Sequence, residues 1–121
     1  MDIASYKKLI VWQIAYELVN LVYDLTINFP KEEMYGLTSQ LRRAALSVVA
    51  NIIEGHARNS RNEFHHFLSI ALGSLSEVEL YLEFSLRRKY ITNIQFDQVE
   101  KTRSRCGQLL WKLYKSQSRI T

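Results

Sequence analysis

The chain of 121 residues contains one cysteine, one proline and four glycines. The lone cysteine, Cys106, cannot form an internal disulfide, which excludes a disulfide-stapled scaffold and fits a reducing cytoplasm. It reads as a small core residue rather than a nucleophile. With one proline and so few glycines, helix breakers are scarce and long loops have little room. The longest apolar runs are too short to span a bilayer, so no membrane association is expected. The opening MDIASYKKLIVWQIAYELV carries an apolar patch, but Gln13, Tyr16 and Glu17 interrupt it and no small-residue cleavage site follows, so no signal peptide is read. A Ser/His/Asp arrangement and a glycine-rich phosphate loop are also missing. No catalytic or cofactor-binding residue is therefore named, no small-molecule substrate is expected, and the reading is non-enzymatic.

What is present is a core. Hydrophobic residues make up 47% of the chain, enough for one domain over residues 1–121. The net charge of +4 and pI of about 9.3 permit contact with phosphate without demanding it.

From Leu9 to Asn28, the residues Val11, Ala15, Leu18, Val22, Leu25 and Phe29 recur at spacings of four and three, the pattern of a helix buried along one side. Gln13, Glu17, Asn20 and Asp24 form its wet side, and Trp12, Tyr16 and Tyr23 sit on the flank, where they would cover a core edge or a subunit interface. Phe29-Pro30 ends this helix, because the residue before proline is pushed out of the helical region. A short connection over Lys31 to Gly36 follows.

The stretch from Gln40 to Glu79 holds two apolar helices folded back near Asn59. In the first, Leu41, Ala45, Val48 and Ile52 cluster opposite a polar stripe of Arg43, Ser47, Asn51, Glu54 and Arg58 that spans about 80°. Ser60 and Glu63 read as a capping box opening the next helix, which runs to about Lys89. There Phe64, Leu68, Ala71, Leu75, Val78 and Leu82 form one stripe, and Ser69, Gly73 and Ser76 form a strip of small residues expected beside the polar stripe. That register sets Arg43 against Glu77 and Glu54 against His65 or His66. The expected product is a partly buried structural polar network of Arg43, Ser47, Asn51, Glu54 and Glu77. The apolar surface of these two helices exceeds what one bundle hides, which predicts a homo-oligomer.

Tyr90-Ile91 makes a tight turn, and Thr92 with Gln95 forms a capping box for the last helix. Val99, Thr102, Cys106, Leu109 and Leu113 repeat along its inner side. Its outer side carries the most concentrated charge of the chain: Lys101, Arg105, Gln108, Lys112, Lys115 and Arg119 share an arc of about 80°, with Trp111 beside it. These six are the candidate nucleic-acid-binding residues, extended by Arg42, Arg87, Arg88 and Lys89. The competing reading is an ordinary solvated face. His56, His65 and His66 gather by sequence with Glu54 and Glu63, yet Glu63 and His66 form the single Glu-x-x-His pair where a di-metal bundle uses two, so no metal ligand is assigned.

Four helices with short connections run up, down, up, down, so the predicted fold is an all-α antiparallel four-helix bundle. The segments LIVWQIAYELV, FPKEEMYGLTSQLRRAALSVVANIIEG and FLSIALGSLSEVELYL closely resemble the bacterial four-helix-bundle family that includes proteins encoded by intervening sequences in large-subunit ribosomal RNA genes. The resemblance implies a cytoplasmic bundle without catalytic residues, commonly a ring-shaped homopentamer. Ile53 and Ala57 depart from the family pattern, which has alanine and frequently glycine there. The chain is also similar, by analogy of architecture, to accessory bundle proteins of diversity-generating retroelements, which bind nucleic acid and a reverse transcriptase; with the basic stripe, the expected partners are further copies of the chain and RNA or DNA. Two functions follow: a nucleic-acid-binding or ribonucleoprotein scaffold, and a structural or protein-interaction module with no nucleic-acid role.

Overall fold

Why these residues make helices is visible at their ends. The computed structural model describes residues 5–117. After a 3-10 turn at Ser5–Lys8, helix α1 spans Ile10–Thr26, and the chain leaves it through the buried Phe29 and the half-buried Pro30. A second 3-10 turn at Lys31–Glu33 leads to α2, Leu37–His56. The Glu33 carboxylate accepts from Leu37 N–H at 3.2 Å and from the Tyr90 hydroxyl at 3.0 Å. One acid thus satisfies an orphan donor at the start of α2 and ties it to the turn at the far end of the next helix.

Helix α3, Arg61–Arg87, starts on Ser60, whose hydroxyl accepts from Glu63 N–H at 3.0 Å. That is half of the predicted box, with no returning bond from the Glu63 side chain. Its C-terminus is a Schellman closure: Lys89 N–H reaches Leu86 O at 3.0 Å and Tyr90 N–H reaches Ser85 O at 2.9 Å. Lys89 takes the left-handed position at φ 63°, where glycine is the usual occupant. Helix α4, Asn93–Ser116, opens with the full reciprocal Thr92/Gln95 box. The carbonyl of its last residue is served from α3, where Arg61 donates to Ser116 O at 2.6 Å.

The four helices pack in a square. α1 lies beside α2 and α4, α3 lies beside α2 and α4, and among the described residues the backbones of the diagonal pairs do not approach closely. Short connections force each helix antiparallel to the next, and the packing of α2 on α3 is the most extensive. Leu18, Val22, Leu41, Val48, Ile52, Leu68, Val78, Leu82 and Leu110 are fully buried along the axis. The predicted stripes of α1, α2 and α3 all face it. In α4 the inner face is centred on Cys106 and Leu110, with Thr102, Leu109 and Leu113 half-buried on its margins. Among the described residues no helix is long and apolar enough to cross a membrane.

Gly55 explains why α2 and α3 can come so close at their shared turn. A Cβ there would stand 2.8 Å from Phe64 Cδ1 and 2.9 Å from Phe67 Cβ. Only a residue without a side chain fits this crossing.

Candidate nucleic-acid interface

Burying Val99, Cys106 and Leu110 turns the opposite side of α4 to solvent, and the basic stripe rides on that side. Lys101, Arg105, Gln108, Lys112 and Lys115 are all exposed. Alternating spacings of four and three keep them in one line about 21 Å long. Arg119 lies outside the described residues. Lys101, Arg105 and Lys112 join no ion pair among the described residues. Near its beginning the stripe borders α1, where Ile14, Glu17, Lys101, Thr102 and Arg105 line a shallow groove.

The remaining helix-four arginine behaves differently. Arg103 points toward α3, donates to Glu100 at 2.8 Å and pairs with Glu79 at 2.9 Å. Hydrogen bonding to Glu100 outweighs burial and raises its pKa, so it is a fixed cation fastening α4 to α3. Cys106, fully buried in front of it, has its thiol pushed up to about 12 by desolvation, against the weaker lowering by Arg103. That thiol is structural and inert at neutral pH.

The proposed extensions divide. Arg87, Arg88 and Lys89 are exposed at the C-terminal end of α3, away from the late part of the stripe. Arg42 is committed to α1: its Nε donates to Thr26 Oγ1 at 2.7 Å and its guanidinium lies 4.5 Å from the Tyr23 ring centroid.

An aromatic ladder closes the late end of α4. His65 stacks on Tyr114 with centroids 4.0 Å apart and planes 22° apart, and Tyr114 stacks on Trp111 at 5.3 Å and 23°. Tyr114 and His65 are half-buried, whereas Trp111 is 50% exposed. Lys115 Nζ sits 5.8 Å from the Trp111 centroid. Trp111 was legible as a neighbour of the stripe, but its coupling to His65 of another helix was not.

The expected polar network between α2 and α3 is corrected to a smaller one. Ser47 Oγ and Ser74 Oγ bond at 2.8 Å, and Asn51 Nδ2 donates to Ser47 O at 2.8 Å and to Ser47 Oγ at 3.1 Å. Arg43 and Glu77 are both exposed and no ion pair joins them among the described residues. Glu54 pairs with Arg58 on its own helix instead of facing His65 or His66. The reason is rotational. Turning the stripe around Leu75 inward sets Ser69, Gly73 and Ser76 roughly 120–180° away, on the solvent side, while Ser74 faces α2. Gly73 meets nothing within 4 Å of a would-be Cβ.

The histidines scatter in the same way. His56 bonds Ser5 Oγ at 2.8 Å, His65 stacks on Tyr114, and His66 lies edge-on to Phe67. Among the described residues no three His, Cys, Asp or Glu side chains gather where they could hold a metal ion.

The outer face of α2 and α3 retains apolar side chains. Ile70, Leu80 and Phe84 are exposed on α3, and Leu46 is exposed on the side of α2 that Arg42 turns toward α1. Leu80 and Phe84 line a groove of about 320 Å³ with Leu37, Gln40, Tyr81 and Glu33.

Comparison with known proteins completes the picture. The chain is similar to a protein of unknown function from the S23 ribosomal protein family of Bacteroides thetaiotaomicron, whose crystal structure superposes with a TM-score of 0.79 at 28% identity, covering 88% of this chain and 99% of that one. No curated protein matches. The sequence profile of the 23S rRNA-intervening sequence proteins matches residues 7–112, nearly the whole bundle from the end of the first 3-10 turn to late α4, and the chain belongs to that family.

Proposed function

We propose that this protein is a non-catalytic helical scaffold that holds nucleic acid, RNA in particular, along the outer face of α4. The observation that carries the reading is the single exposed line of Lys101, Arg105, Gln108, Lys112 and Lys115, with three of its cations outside any ion pair among the described residues. Such a line matches a phosphate backbone by charge and reads no base edge, so binding is salt-sensitive and weakly sequence-dependent. Four phosphate contacts on a single strand weaken affinity roughly fiftyfold between about 50 and 200 mM salt.

Fluorescence anisotropy with labelled RNA and DNA at those two salt concentrations tests this directly. Arg105→Gln, Lys112→Gln and Lys115→Gln combined should lower affinity and flatten the salt slope. Unchanged affinity in the folded triple variant, or no binding of the natural chain at low salt, removes the reading.

A second reading is favoured by a separate observation, the exposed Ile70, Leu80 and Phe84 on α3, the last two lining the groove shared with Leu37 and Gln40 of α2. On this reading the face joins copies of the chain into a homo-oligomer, for which the family resemblance suggests five subunits, and the assembly serves as a protein-interaction module. Light scattering of the natural chain against Leu80→Lys and Phe84→Glu tests the contact. Pull-down with and without nuclease then separates the two functions, because nuclease-resistant partners favour the second. A ring would also repeat the α4 stripe around its circumference and so strengthen the first.

A further inference from the structure

We infer that the aromatic ladder of His65, Tyr114 and Trp111 is a base-stacking platform, and that the nucleic acid taken by the α4 face is single-stranded. This rests on the proposed nucleic-acid role of α4 and adds the strand class and the residue that selects it. Three rings on two helices stand nearly parallel, at 4.0 Å and 5.3 Å between successive centroids, starting half-buried at His65 and ending in solvent at Trp111. Tyr114 is packed against the hydrophobic core, so the ladder is anchored. Trp111 contributes nothing to that core. The Tyr114 ring stacks on it, and the Lys115 ammonium lies over the indole 5.8 Å from its centroid, a flexible cation that a base can displace toward its own phosphate.

A ring already held in place loses little side-chain freedom when a second ring stacks on it. Gln108, Lys112 and Lys115 lie three residues before, one after and four after Trp111, so a strand tracking the stripe brings its bases within reach of the indole. In a duplex the base faces are hidden inside the stack, and only an unpaired base offers one to a protein. The stripe alone is blind to that difference, and the ladder supplies the distinction.

The test uses the full chain with labelled oligonucleotides of about 12 nucleotides, oligo-U, oligo-dT and an RNA duplex. The chain has two tryptophans, so a Trp12→Phe background with its helicity checked leaves Trp111 as the fluorescent reporter. The expected results are quenching of Trp111 by the single strands, about a tenfold loss of single-strand affinity in Trp111→Ala, and no change for the duplex. Trp111→Phe should recover part of that loss, since a smaller ring still stacks. Equal affinity of single strand and duplex, or a Trp111→Ala loss shared by both, overturns the stacking role while the salt-dependent α4 reading stands. Absence of binding to all three oligonucleotides overturns the α4 reading itself. An altered oligomer mass in Trp111→Ala assigns the indole to a contact between copies and also overturns the inference. Oligo-U favoured over oligo-dT supports it and adds a ribose contact; equal binding supports it through the base alone.

Discussion

Replacing Gly55 with alanine should destabilise this protein, although helix propensity alone says the reverse. Gly55 lies within α2, where alanine is favoured over glycine by about 1 kcal/mol. Against this, the added methyl would stand 2.8 Å from Phe64 Cδ1 and 2.9 Å from Phe67 Cβ, where carbon atoms rest at about 3.5–4.0 Å. The Phe64 ring can rotate. The Phe67 Cβ cannot retreat without moving the backbone of α3. Overpacking of this kind costs about 1–3 kcal/mol, and a contact with a Cβ belongs at the upper end, so the net loss is about 2 kcal/mol. Gly73→Ala provides the control of opposite sign. It lies in the middle of α3, whereas Gly55 is in the last turn of α2, and a Cβ there meets open space, so the isolated bundle should gain about 1 kcal/mol. Urea unfolding followed by circular dichroism measures both, at several protein concentrations because self-association adds apparent stability. An unchanged or raised midpoint for Gly55→Ala, at unchanged slope, refutes the packing argument. If copies meet on the α2 and α3 face, Gly73→Ala should also weaken the oligomer while strengthening the protomer.

Other consequences are equally direct. Lys89→Gly relieves a left-handed residue at the α3 terminus and should raise stability by about 0.5–1 kcal/mol, the larger unfolded-state entropy of glycine offsetting part of the relief; thermal unfolding shows whether it does. Thr92→Ala removes the cap that accepts from Gln95 N–H and should cost about 1 kcal/mol by the same assay. Cys106 is an acid whose folded pKa is raised from 9.0 to about 12. Its thiol ionises in the unfolded chain first, so its contribution is intact below pH 9 and stability then falls by about 1.4 kcal/mol per pH unit until the folded thiol also ionises. Cys106→Ala should flatten that alkaline slope, and a disulfide reagent at pH 8 should leave the folded natural protein unmodified while reacting at once in denaturant.

The sequence by itself determined the bundle. Val11, Ala15, Leu18, Val22, Leu25 and Phe29, repeated at helical spacing, had one way to hide from water, and all six are buried. Thr92 and Gln95 capped α4 as read, because a capping box is closed within four residues and needs nothing from the rest of the chain. The exposure of the α4 cations followed from the same periodicity, since a helix that buries one side must present the other. What lay between helices was a different matter. The Arg43 to Glu77 pair was expected from a fold-back register alone, but rotation about the helix axis decides which neighbours meet, and the core stripe around Leu75 set that rotation. Ser74 consequently reached Ser47, while Arg43, Glu77 and Gly73 turned outward. The His65–Tyr114–Trp111 ladder joins positions far apart in the chain and exists only because α3 and α4 lie side by side. Helix periodicity is a local property written in spacing, whereas contact across helices depends on the packing of every side chain between them, and only the tertiary structure decides it.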